Sequence, residues 1–461
     1  MNGLEQAQRR MADADVPQHA IDVFSDFYAQ LEGGATGLVR EADVDPLVDI
    51  SHASEIAHDE EASRAAASVT AVIKLNGGLG TGMGLNRAKT LLRAHGDLTF
   101  LDVIVGQVRS LRASIGAPVP LLFMNSFRTR EDTLGALTRY DDLAVEGLPI
   151  DFLQNREPKL RADDLTPVDW PADPNLEWCP PGHGDLYTAL EVSGILDALI
   201  DRGFRYATVS NADNLGASPD PAMMAWFVAS GAPYAAEVCR RTPADVKGGH
   251  IVVRKSDGRL VLRDTAQIAA EDMALADDPK RHAYFHTNNL WLDLAVVRTT
   301  LAERNGILGL PLIRNEKTVD PTDPSSPKVI QIECAMGAAV EVFDGAAAIE
   351  VDRSRFLPVK TTNDLLLLQS DVYELGDDYR LLAKRDAASD APLVDLDRRF
   401  YATITDFDQR LPEPPSLVDA RSLTVRGDWT FGHGVAVSGD AALEDTGVPE
   451  TVAPATRLGD G

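Results

Sequence analysis

The sequence predicts an α/β protein built on a largely parallel sheet, and three observations carry that prediction. Continuous apolar runs of strand length, such as "VTAVIKLN", alternate along the chain with longer segments of helical periodicity. A dense glycine loop follows the first such run, at the carboxyl end of a strand, where open α/β sheets bind their ligands. The tail then changes period, its apolar residues recurring every six positions. At 461 residues the chain can bury a large core and divide into two or three domains.

Residues 4–32 read as two short helices separated by Pro17. Ile21, Phe24, Phe27 and Leu31 follow helical spacing, and Gly33-Gly34 closes the unit. A polar, alanine-rich connection leads to the first strand. "PLLFMNS", "IDFLQN" and "YATVSNADN" read as further strands, with "LDVIVGQVRSLRASIG", "REDTLGALTRY" and "LYTALEVSGILDALIDRG" as the helices between them. "HIVVRKSDGRLVLRD" reads as a hairpin turning at Asp257-Gly258, a flap beside the site. In "SLTVRGDWTFGHGVAVSGDAAL", Leu423, Trp429, Val435 and Ala441 form one column, and Val425, Phe431, Val437 and Leu443 a second. Gly427, His433 and Gly439 form a third. A six-residue period predicts a short parallel β-helix; an alternating hairpin competes, since six is also a multiple of two. Residues beyond Leu443 are expected to be a flexible tail. The expected divisions are 1–60, a helical N-terminal segment; 61–385, the α/β domain; and 386–461, the β-helix-like domain with its tail.

Cys179, Cys239 and Cys334 are scattered and odd in number, which suits reduced thiols in a cytoplasm better than a disulfide framework. The N-terminus, "MNGLEQAQRRMADADV", lacks the apolar core of a signal peptide, and "PAMMAWFVASGAPYAA" is too short to span a bilayer. A soluble, cytoplasmic protein with no membrane partner is expected. Lys and Arg number 44 against 71 Asp and Glu, a net charge of −27, which excludes the cationic surface that nonspecific nucleic-acid binding requires. Solubility accounts for the total. Its distribution is more telling: from Ala62 to Gly96 there is no acidic residue, while Arg64, Lys74, Arg87, Lys89 and Arg93 are all present. An acidic chain that clears its carboxylates from around a glycine loop is arranged to receive an anion.

That loop, "KLNGGLGTGMGLNRAKTLL", puts five glycines into the eight positions from Gly77 to Gly84. It is not a P-loop, because Ala88 and Met83 stand where G-x-x-x-x-G-K-[ST] needs glycine. Nor is it G-x-G-x-x-G, whose last glycine would fall on Met83 or Leu85. Farther on, "PPGHGDLY" offers His183 as a donor to an anion or sugar hydroxyl, or, with Asp185, simply a turn and a helix N-cap. "VSNADNLGA" ends a strand with Asn211, Asp213 and Asn214. Asp213 suits a Mg²⁺ that completes its shell with water and phosphates, although a lone Asp at a strand end is also a common turn residue. Asn288 and Asn289 in "FHTNNLWLDL" carry the paired donors and acceptors that sugar hydroxyls need. "DRSRFLPVKTTNDL" adds Arg353, Arg355 and Lys360 as a second cluster of positive charge. Together these segments describe phosphates, a magnesium ion and a polyhydroxy ligand.

"KLNGGLGTGMG…AKTLL", "PLLFMNSF", "PPGHGDLY", "DNLGA", "TNNLW" and "SRFLPVKTTNDLLL" occur in the order seen in eukaryotic-type UTP–glucose-1-phosphate uridylyltransferases, which the chain resembles over roughly residues 15–445. Related UDP-N-acetylhexosamine pyrophosphorylases carry A-G-G-x-G-T-R-L-G. Asn76, Leu79 and Gly82-Met83 set this sequence on the glucose side instead.

The resemblance implies a Rossmann-like nucleotidyltransferase domain with a mixed, mostly parallel sheet, a short helical N-terminal segment and a small C-terminal β-helix. It implies UTP and glucose 1-phosphate as substrates and Mg²⁺ as cofactor. By position, Leu75, Asn76, Gly77 and Gly78 hold the uridine, with Gln154 and Gly182 reading the uracil and Met124 beside it. Lys89 stands at the phosphates, Asp213 binds magnesium, and Lys89 and Lys360 are the catalytic residues. His183, Asn211, Asn214, Gly249, Asn288 and Lys360 lie on the sugar-phosphate side.

Three departures stand out. His286 replaces an amide of F-N-T-N-N, His250 a hydroxyl of G-G-T, and "NEK" (Asn315 to Lys317) stands for N-P-K. The tail is shorter than the β-helix through which the family associates, which leaves homo-oligomer formation open. A broader UDP-sugar pyrophosphorylase that also takes galactose 1-phosphate is the nearest competing reading, and a non-catalytic sugar-nucleotide-binding protein a more distant one.

Overall fold

The computed structural model describes residues 2–242, 245, 248–385 and 391–459. Among them the main sheet has ten strands. In chain order these are β1 (Val44–Pro46), β2 (Thr70–Asn76), β3 (Leu121–Asn125), β4 (Asp151–Leu153), β5 (Tyr206–Asn211), β6 (Tyr234–Arg240), β7 (His250–Arg254), β8 (Leu260–Arg263), β9 (Tyr284–Asp293) and β10 (Ala347–Glu350). The sheet is mixed. β4, β3, β2 and β5 run parallel as neighbours, and β9 lies antiparallel to β5. β9 also pairs with β6, which carries β10 in parallel, and β7 brings β1 and β8 to the far edge.

Strand β2 shows why apolar runs mark this architecture: every residue of it is buried. Ala71, Ile73 and Leu75 join one core with the N-terminal helices, while Val72 joins the other beneath helix Phe100–Ile115. On β3, Leu122 and Met124 face the first core, Leu121 and Phe123 the second. A strand covered on both faces has no polar side to alternate with. Helix Phe100–Ile115 starts at a capping box between Thr99 and Asp102 and stops at Gly116, φ 69°.

Four expectations need correction. The 1–60 segment is not only helical, since Val44–Pro46 adds an edge strand to the sheet. The predicted helix from Leu186 divides at Gly194, φ 73°, into Leu186–Val192 and Ile195–Asp201. The hairpin at Asp257-Gly258 is not a free flap, because His250 pairs with both Arg263 and Phe285 inside the sheet. Finally, the segment beyond Leu443 is structured, with strands at Glu450–Val452 and Arg457–Gly459 that extend the C-terminal sheets in parallel.

The hexad repeat is a parallel β-helix. Leu423 lies opposite Ala441 and Val425 opposite Leu443, a step of three hexads per turn. Leu423, Val435, Ala441, Val425, Phe431 and Val437 are all buried. Gly427 belongs at a corner: its φ is 88°, and a Cβ there would come within 2.7 Å of Asp445 Oδ1. This domain docks against the start of helix Thr362–Gln369, where Thr362 Oγ1 donates to Tyr401 O at 2.7 Å and Leu396 N to Asn363 Oδ1 at 3.1 Å. Phe431→Ala is expected to cost about 3–5 kcal/mol by emptying this narrow core, read as a lowered denaturation midpoint.

Candidate active site

The glycine loop leaves β2 at Asn76, whose side chain faces inward. Asn76 Nδ2 donates to Asn125 Oδ1 and Thr133 Oγ1, both at 2.8 Å, and its Oδ1 accepts from Thr90 Oγ1. The amide is therefore structural, and what Asn76 presents to a ligand is backbone. At Gly77 a Cβ would lie 2.7 Å from Gln154 Oε1, so a side chain there would displace that amide. Gln154 Nε2 donates to Gly182 O at 2.8 Å, so Gly77, Gln154 and Gly182 are contiguous. Leu75 and Met124 are register partners on β2 and β3 and are buried beneath them. Met124 accordingly forms part of the floor. Gly80 and Gly84, φ 64° and 72°, turn the loop back until Lys89 N donates to Gly78 O at 3.2 Å.

Asp213, just past the end of β5, collects both candidate lysines on one oxygen. Lys89 Nζ is 2.7 Å and Lys360 Nζ 3.0 Å from its Oδ2. Lys89 Nζ also donates to Val359 O. Burial works to raise the Asp213 pKa, but Lys360 and Lys89 outweigh it and bring it down to about 2. The other oxygen, Oδ1, is buried with no hydrogen-bond partner among the described residues. A single hard oxygen suits a magnesium ion that arrives with substrate phosphates. Among the described residues no group of three or more His, Cys, Asp or Glu forms a free-standing metal site.

On the sugar side, His183 Nδ1 accepts the Met336 N–H at 3.0 Å, which puts the ring proton on Nε2 as a donor. Burial holds its pKa down at about 4, with Asp264 opposing and Lys360 assisting. Asn288 sits in a β-bulge of β9 opposite Glu237, with φ 58°, and so is turned out of the strand's alternation. Its neighbour His286 is buried, with Nδ1 3.2 Å from Asn288 N. Gly249 O accepts from His286 N at 2.9 Å, and Asn211 is half-buried at the end of β5.

Other expected residues face elsewhere. Arg353 and Arg355 are not free for phosphates: each forms a two-pronged ion pair, with Asp245 and with buried Glu237 respectively. Asn214 is 1% exposed. Both of its Nδ2 hydrogens are engaged, by Arg355 O and Asn289 Oδ1, so it has no donor left for a sugar. Lys317 lies on a separate hairpin, 3.0 Å from Gln331 Oε1. His250 is buried against His282, ring centroids 4.6 Å apart. Lys74, counted among the cations around the glycine loop, is not free for an anion: it is buried and donates to Ser210 Oγ and Ala217 O, tying β2 to the loop that carries Asp213. A lone lysine inside "AVIKLN" was the available signal.

Burial pushes His250 down to about 3 and His286 to about 4. Below about pH 6.5 the unfolded chain takes up protons that the folded chain refuses. The contribution of these histidines to stability is therefore expected to fall as pH drops from about 6.5 toward 4, opposed by Asp185, whose carboxyl burial pushes up to about 7. Urea midpoints of wild type and His286→Asn at pH 7 and pH 5 check this: the variant should lose less stability, or gain more, between the two than wild type, and an identical change in both would contradict it.

The model of the UTP–glucose-1-phosphate uridylyltransferase family matches residues 22–438. The UTP–glucose-1-phosphate uridylyltransferase of Musa acuminata is 39% identical over 386 residues, 84% of this chain and 80% of that one. The Saccharomyces cerevisiae protein of the same name is 39% identical over 377 residues, 82% and 74% of the two chains. A crystal structure of a UDP-glucose pyrophosphorylase variant from Leishmania major in complex with UDP-glucose superposes with a TM-score of 0.92 at 38% identity, covering 100% of this chain and 99% of that one.

Proposed function

This chain belongs to the UTP–glucose-1-phosphate uridylyltransferase family, and from that premise we infer that it makes UDP-glucose and pyrophosphate from UTP and glucose 1-phosphate. The observation that carries the reading is the convergence of Lys89 and Lys360 on Asp213 Oδ2, next to the Gly77–Gln154–Gly182 cluster. A phosphate oxygen of glucose 1-phosphate attacks the α-phosphorus of UTP. The new P–O bond forms as the bond to the β-phosphate oxygen breaks, and pyrophosphate leaves with that electron pair. The nucleophile is already an anion, so no general base is needed. What remains is to bring two polyanions together in line and stabilise charge on the leaving oxygens.

The backbone of Gly77 and Gly78 would hold the nucleotide, with Gln154 and the Gly182 peptide at the uracil. Lys89, fixed by Asp213 and Val359 O, would stand at the UTP phosphates. Lys360, 60% exposed, keeps the freedom to follow the transferring group. His183, through Nε2–H, and Asn288 would meet the sugar phosphate and the sugar. Asp213 Oδ1 would hold magnesium, which when bound adds positive charge at the phosphates.

Among the described residues no helix is long and apolar enough to cross a membrane. Three buried, unpaired cysteines favour a reducing cytoplasm.

Pyrophosphate release with glucose 1-phosphate, galactose 1-phosphate and N-acetylglucosamine 1-phosphate, each with UTP or dTTP, tests the specificity. Release confined to UTP with glucose 1-phosphate is expected. Equal rates with galactose 1-phosphate would replace the reading with a broader UDP-sugar pyrophosphorylase.

A further inference from the structure

We propose that Asn214 is a positioning residue for Lys360: its amide fastens residues 355–357 to the Asp213 turn and, through the backbone contacts that continue to Val359, sets where the Lys360 ammonium stands. The inference rests on the uridylyltransferase reading for its kinetic consequences, but its geometry stands on its own. Asn214 Oδ1 accepts the Leu357 N–H at 2.8 Å, and Nδ2 donates to Arg355 O at 3.1 Å. One amide thus closes on both sides of Phe356, as a short piece of ladder would. Backbone contacts continue it: Asn214 bridges Pro358 in antiparallel fashion, and Val359 N donates to Asp213 O at 3.2 Å.

Lys89 Nζ grips Val359 O from the nucleotide side. Residue 359 is therefore held by the Asp213 turn and by the other catalytic lysine together, one residue before Lys360. The second Nδ2 hydrogen reaches Asn289 Oδ1 at 3.1 Å, and Asn289 Nδ2 itself donates to Glu237 and to Arg355 O. The clamp is thereby seated on β9. Behind Lys360, Thr361 and Asp364 close the cap of helix Thr362–Gln369. The helix fixes the rear of the segment, and Asn214 fixes its front.

Val359 itself is held by Asp213 O and Lys89 Nζ, and the Asn214 amide holds the stretch that leads into it. Arg355 is anchored through Glu237, but that secures its own end of the segment. Lys360 itself is mostly exposed and touches Asp213 only through a flexible side chain. Displacement of such a group by about 1 Å is enough to cost on the order of a hundredfold in rate.

The test crosses Asn214→Ala and Asn214→Ser with Lys360→Ala, reading both turnover and amide hydrogen exchange. Asn214→Ala is expected to lower kcat by about ten- to a hundredfold while leaving the KM for UTP within about twofold. In the Lys360→Ala background the same change should cost less than about threefold, because the group it positions is gone. Asn214→Ser, whose hydroxyl can still accept the Leu357 N–H, should recover part of the rate. Exchange at the Leu357 and Val359 amides should quicken in Asn214→Ala, with β2 amides unchanged. Unchanged exchange at Leu357 and Val359, or full additivity with Lys360→Ala, would overturn the proposal. So would a loss confined to the KM for glucose 1-phosphate, which would make Asn214 a sugar ligand. A wild-type protein that releases no pyrophosphate would end the uridylyltransferase reading, while the exchange data would still decide the clamp.

Discussion

Asp213→Ala is expected to lower kcat by about a thousandfold or more, the largest effect of any single change in this site. The expectation follows from how much converges on one carboxylate. Its Oδ2 balances two ammonium groups, and its Oδ1 is buried with no hydrogen-bond partner among the described residues. Without it, Lys89 and Lys360 become like charges with no counter-ion between them, and a magnesium ion would lose its protein ligand. Asp213→Asn keeps the shape but not the charge, so it should fail nearly as badly. Turnover at saturating UTP, Mg²⁺ and glucose 1-phosphate checks this. A loss smaller than about tenfold would show that the carboxylate is not the organising charge.

Lys360→Met is expected to lower kcat by about 10²- to 10³-fold with little change in the KM for UTP. Lys360 is open to solvent, so its replacement leaves no buried charge unpaired and should barely alter stability. Lys89 differs: it is largely buried and bonded to both Asp213 and Val359 O. Lys89→Met should therefore raise the KM for UTP and lower the denaturation midpoint as well as kcat. Comparing the two variants by steady-state kinetics and thermal unfolding separates the roles. If Lys360→Met turned over normally, its assignment would be withdrawn.

The parallel part of the sheet was legible because each strand there is an unbroken apolar run ending in turn residues, as in "VIKLNGG" and "ATVSNADN". The β-helix was legible because six residues make one flat side, so buried columns repeat at a fixed interval. Short edge strands escaped notice: Val44–Pro46 has three residues and only one of them is buried. The expectation of a flexible tail failed because glycine- and threonine-rich composition also suits the corners of β-helix turns.

Within the site, the strand-end motifs do come together: Gln154 meets Gly182, and Lys89 and Lys360 meet at Asp213. Partnerships were not. Arg353 and Arg355 looked like free cations, but Asp245 and Glu237, more than a hundred positions earlier, neutralise them. Asn214 and Asp213 are adjacent in sequence yet face opposite ways, one into the interior and one toward the lysines. No local pattern reports which neighbour is turned inward.

The most direct measurement is the release of pyrophosphate from UTP by the purified protein with Mg²⁺, with and without glucose 1-phosphate, alongside the UDP-glucose formed. Pyrophosphate and UDP-glucose are expected in equal amounts, and neither without the sugar phosphate. UTP binding without release, or release from UTP alone, would contradict a direct attack of glucose 1-phosphate on the α-phosphorus.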